Sequence, residues 1–131
     1  LLVAIKNLKS RLGAATITDV VFAKGTYTAG GTKTVRITYN EQVTVTGSPT
    51  ISLTAAGAST TAVTATYTST SDKTLVFSFT VPVAATTLSI AAQSITLAGG
   101  TIVETGVTPT VNAEVAISAS VAASAGTKVT V

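Results

Sequence analysis

The chain has 131 residues, the size of one domain built around one core, and contains no His, Cys, Met or Trp,. Eight basic and five acidic residues give a net charge of +3, and the bases are scattered without interleaved aromatics, which argues against a nucleic-acid surface. The missing residue types remove the usual proton shuttles and metal cages, cysteine's absence excludes a disulfide scaffold, and no apolar run approaches the roughly 18 residues that span a bilayer.

Residues 1–12 differ in pattern from the rest of the chain. Leu1, Ala4, Ile5, Leu8 and Leu12 recur at spacings of three and four, with Lys6, Asn7, Lys9, Ser10 and Arg11 on the other side. This pattern predicts an amphipathic helix closed by Gly13. So short a helix is marginal alone, so its apolar stripe must dock on its own domain or on a neighbour. The chain starts without Met, and the three bases interrupt the apolar region that a secretory signal requires,.

From Thr16 the period becomes two, and 28 of the 131 residues are Thr alternating with aliphatic and aromatic residues. β-branched Thr suits the solvent side of a pleated sheet, so this is a strand signal. The first strand is expected at 17–23, followed by a turn-rich connection through Gly30 and Gly31. Val35, Ile37 and Tyr39 then face inward against Thr34, Arg36 and Thr38, and Val43 and Val45 mark another strand,. Ile51 with Leu53, and Val63 with Ala65 and Tyr67, mark two more. A polar loop is expected at 69–73, with Asp72 and Lys73 as its turn. Leu75, Phe77, Phe79 and Val81 form the strongest strand pattern, closed by Pro82. Short strands follow at Leu88 and Ile90, Ile95 and Leu97, and Ile102 and Val103. A last long strand is expected at 115–121, with an edge strand at 128–131 and no helix after residue 13. The result is an all-β chain of roughly seven to nine strands, read as a Greek-key sandwich at 14–131 behind a helical docking segment at 1–13.

The run at 37–53, ITYNEQVTVTGSPTISL, resembles bacterial and phage Ig-like repeats, in which an aromatic-x-E-x-V-x-V-T-G-x-P-x-(I/L)-x-L segment precedes a tyrosine strand and an L-x-F-x-(F/Y)-x-V strand. Ala65-Thr66-Tyr67 and the segment from Leu75 to Val81 match those later elements, as do Leu88-Ser89-Ile90 and the run from Ile95 to Gly100. The resemblance covers residues 19–102 and implies an Ig-like β-sandwich used for display, spacing or adhesion. Adhesin members come as tandem repeats with acidic calcium-binding linkers, whereas this chain has one copy and five acidic residues.

Asp19, Glu41, Asp72, Glu104 and Glu114 are at least ten residues apart, and they read as solvated loop and edge charges. A calcium site would have to assemble in space from two of them plus carbonyls. Glu104 with Glu114 is the conceivable acid and base pair, and Lys33, Asn112 and Glu104 are the conceivable set for a Lys to Asn isopeptide crosslink. Ser and Thr hydroxyls lack an activating His. The reading assigns no catalytic residue, no metal and no cofactor, and places Tyr27 at the core edge.

The expected function is that of a non-enzymatic structural component of a virion, a phage capsid decoration or cement protein. One sandwich copy, no secretion signal in the visible residues and the helical extension motivate it. Its expected partners are other copies of itself and a capsid or surface-assembly protein, with no nucleic acid and no membrane span. Leu1, Ile5, Leu8 and Leu12 would dock there, with Lys6, Lys9 and Arg11 meeting an acidic surface or solvent. The alternatives are an adhesion or spacer module of a bacterial cell surface, and an extracellular pilus-like filament subunit.

Overall fold

The structure, a computed structural model, describes residues 15–57, 62–106 and 108–122 and the backbone of 128–130. Its strands are β1 (Ile17–Phe22), β2 (Thr32–Tyr39), β3 (Val43–Thr46), β4 (Thr50–Ala56), β5 (Ala62–Ser71), β6 (Thr74–Thr80), β7 (Thr87–Ser89), β8 (Gln93–Ser94), β9 (Thr101–Glu104), β10 (Ala116–Ile117) and β11 (Lys128–Thr130), with one helical turn, α1 (Ala119–Ala122). Seven of them form one antiparallel sheet in the order β1-β2-β6-β5-β4-β7-β11, and β3 with β9 and β8 with β10 form separate ladders. The two ends of that order, β1 and β11, touch, so the sheet is curled.

The period-two pattern determines which face is buried. On β2, Val35, Ile37 and Tyr39 are buried while Arg36 is exposed; on β6, Leu75, Phe77 and Phe79 are buried. These two strands pair in register from Thr32 opposite Thr80 to Thr38 opposite Thr74, which brings the inward residues side by side. Ile51, Leu53 and Ala55 of β4 and Ala65 of β5 continue the same face, and Ile102 and Ile117 join it from the smaller ladders, so all of them share one core. Each fully buried aliphatic or aromatic side chain contributes about 1.5–3 kcal/mol of transfer free energy. The threonines take the outer face and bond across it: Thr38 to Thr74 at 3.2 Å, Thr44 to Thr105 at 2.8 Å, and Thr46 to Thr101 at 2.7 Å,.

At the start of the β3 and β9 ladder two turns meet without side chains. A Cβ on Gly100 would land on the Thr46 carbonyl oxygen, and Gly47 with φ of 77° abuts Gly100. That close approach sets the register in which Val43 faces Glu104 at the other end of the ladder.

Three expectations are corrected. The strand expected at 115–121 is only Ala116–Ile117 and gives way to α1. There the Ser118 hydroxyl accepts from the Val121 amide at 3.3 Å, and the Ser118 carbonyl accepts from the Ala122 amide at 2.9 Å. A capping serine before an alanine-rich stretch favours a helical turn over an unpaired strand. The loop expected at 69–73 shrinks to Asp72 and Lys73, because β5 keeps pairing with β6 up to Ser71 opposite Thr74. The described residues hold eleven strand segments against the seven to nine expected, β7, β8, β10 and β11 being pieces of two or three residues. No helix among the described residues is long and apolar enough to cross a membrane.

Candidate functional site: an acidic cleft at one end of β2

The same alternation that fills the core also carries two carboxylates inward. Tyr39 ends β2 on the buried face, and Glu41, two residues on, is half-buried. Ile102 of β9 is buried, and two residues later so is Glu104. Glu41 and Glu104 line a cleft of about 550 Å³ together with Gln42, Thr105 and the Asp72–Lys73 turn of the β5–β6 hairpin. Backbone bonds fix its walls: Tyr39 N–H donates to the Lys73 carbonyl at 2.9 Å, Thr105 N–H to the Gln42 carbonyl at 3.0 Å, and Glu104 N–H to the Val111 carbonyl at 2.9 Å. Gln42 Nε2 donates to Asp72 Oδ1 at 2.8 Å, which ties two of the walls together.

Glu104 is 4% exposed, and neither carboxylate oxygen has a hydrogen-bond partner. Taking an ionised carboxylate out of water without a partner costs several kcal/mol, so such a group binds a proton or a cation more readily than usual. Its pKa is raised, chiefly by burial and further by the neighbouring Glu41 carboxyl, opposed in part by the Ala15 backbone,. Next to it, polar burial is fully compensated. The Tyr39 hydroxyl donates to the Glu114 carbonyl at 2.7 Å, and its pKa is raised by burial first and by Glu114 second. The Glu114 carboxylate accepts from the Ile17 amide at 3.3 Å, where β1 bulges between Ile17 and Asp19.

The residues singled out from sequence are therefore redistributed. Glu104 sits against Glu41, while Glu114, its expected acid and base partner, is engaged by the β1 bulge. Glu104 is also not the solvated charge it was expected to be. The conceivable crosslink set is dispersed: Lys33 lies at the far end of β2 with Nζ 5.2 Å from the centroid of the Tyr27 ring, and Asn112 is exposed. Tyr27 is buried as expected, stacked on Phe79 with its hydroxyl donating to the Ala23 carbonyl at 2.5 Å. The docking residues Leu1, Ile5, Lys6, Leu8, Lys9, Arg11 and Leu12 lie outside the described residues. The sequence reading misses Glu41 and Glu104 as a pair, although each follows a core residue at i+2, which is the phase that points inward.

Chemically, two adjoining carboxyls with one buried can share a proton or hold a hard cation. Among the described residues, no three Asp, Glu, His or Cys side chains gather as a metal-holding group. The class defined by this geometry is an all-β domain with an acidic cleft at one end. Searches of protein-family models, curated proteins and solved structures find no match to this chain.

Proposed function

We propose that the chain is an Ig-like β-sandwich module with a structural, non-enzymatic role in a repeated surface assembly, and that the assembly is the exterior of a virion, where the module decorates or cements a capsid. One observation carries the reading. The residues of the Ig-like pattern fall on successive elements of one core: the aromatic and glutamate on β2 and its turn, Val43 and Val45 on β3, Ile51 and Leu53 on β4, Tyr67 on β5, and Leu75, Phe77 and Phe79 on β6. The β4-β5-β6 meander also returns to pair with β2, which supports the Greek-key reading. The outer face, dense in Thr hydroxyls bonded to one another, suits a rigid module set among neighbours.

Fractionation tests this. Particles purified on a density gradient from a culture encoding the chain should contain its peptides at a copy number comparable to that of the major shell protein. Peptides found instead in the cell envelope, and released by protease treatment of intact cells, would replace the virion role with that of a bacterial surface module. Peptides in sheared filaments would point to a fibre subunit.

A further inference from the structure

We propose that Glu41 and Glu104 together form a binding site for a divalent cation, calcium in preference to magnesium, at the floor of the acidic cleft. Three observations support it. Glu104 is 4% exposed and neither carboxylate oxygen makes a hydrogen bond of ordinary geometry, its polar neighbours being the Glu41 carboxyl and the Ala15 backbone, so the fold holds a carboxyl stripped of water with little given in exchange. Such a group is placed at a cost unless something positive meets it. Glu41 adjoins it as a second carboxyl, so the floor offers up to four oxygens from two strands' ends. The cleft is open to solvent and rimmed by Asp72 and Lys73, whose opposite charges offset each other and leave Glu41 and Glu104 as its net charge, with no third carboxylate joining them as a ligand among the described residues.

This donor set selects among cations. It is all oxygen, which favours hard ions over zinc or copper. It is irregular and incomplete, with room in the cleft for water and carbonyl oxygens, which calcium accommodates in six- to eight-fold shells and magnesium, bound to a strict octahedron, does not. With two carboxylates the affinity belongs in the weak range of extracellular modules, on the order of 10⁻⁴ to 10⁻³ M. The site lies at an end of the sheet, where bound calcium would tie the turn after β2 to the end of β9.

Thermal unfolding of the 131-residue chain at pH 7.5 and constant ionic strength, with calcium chloride as the probe, tests the proposal. Ten millimolar calcium should raise the Tm of the unaltered chain by roughly 5 °C, and magnesium by much less. Glu104→Gln and Glu41→Gln should each fold and lose the calcium response, Glu104→Gln starting from a higher Tm without calcium because the uncompensated charge is gone. An unaltered chain that does not respond to calcium overturns the site, and stabilisation by acid alone would then identify the pair as sharing a proton. A response of full size retained in both variants overturns it equally, by placing the ion elsewhere.

Discussion

Tyr27 and Glu104 are both buried polar residues at opposite ends of β2, and their surroundings differ in kind. At the Tyr27 end three rings close the core, with Phe22 meeting Phe79 edge-on at 5.9 Å and Tyr27 stacked on Phe79 at 6.4 Å. The Tyr27 hydroxyl there has its carbonyl partner, and the Lys33 ammonium lies over the ring. At the Glu104 end Tyr39 is satisfied in the same way, yet the carboxylate beside it has no partner and faces another carboxylate. One end is closed by packing and stabilises the fold; the other buries a carboxyl beside an open cleft, where the proposed cation and not the core would supply its partner.

That contrast can be broken at each end, and the largest effect belongs to the aromatic one. Phe79→Ala removes the ring that touches both Phe22 and Tyr27 and should cost about 3–5 kcal/mol in urea unfolding, with the slope of the transition unchanged. A loss below about 1 kcal/mol would mean that this end is not tightly packed. Tyr39→Phe strips a satisfied hydroxyl from the acidic end and leaves the Glu114 carbonyl without its donor, which should cost about 1–3 kcal/mol.

Glu104→Gln should act in the opposite direction. Burial and Glu41 hold the Glu104 carboxyl above its ordinary 4.5, so the folded chain binds that proton more tightly than the unfolded chain. Its contribution to stability is complete below about 4.5 and is lost as pH rises through the raised value,. In calcium-free buffer at pH 7 the glutamine variant should therefore be more stable than the unaltered chain by about 1–2 kcal/mol. The difference should vanish as pH falls towards 4.5; a variant less stable at both pH values would mean that the carboxylate is compensated. Smallest is Lys33→Met, which keeps the stem over Tyr27 and removes the charge. It should cost about 0.5 kcal/mol, and a null result would reduce that contact to simple packing.

Much of the core is legible in the sequence because alternation is a local signal. Val35, Ile37, Leu75, Phe77 and Phe79 are buried where the two-residue period puts them, and Asp72–Lys73 turns between two β runs. The same rule, applied to residues beyond the strand ends, sends Glu41 and Glu104 inward with Tyr39 and Ile102. They read as solvated because charge usually outweighs phase. Their adjacency is not legible, since it depends on the pairing of β3 with β9 and on the meeting of Gly47 with Gly100, contacts across more than fifty residues. The helical turn after Ser118 is hidden by the alternation of Val115, Ile117 and Val121, which a strand would share.

The most direct test of the central claim, that Glu104 is a buried carboxyl without a partner until a cation supplies one, is a carbon-13 NMR titration of the glutamate carboxyls with and without calcium. Glu104 should titrate above 4.5 in calcium-free buffer, and calcium should move its midpoint down,. A Glu104 that titrates at or below 4.5 without calcium, or whose midpoint calcium leaves in place, would contradict it.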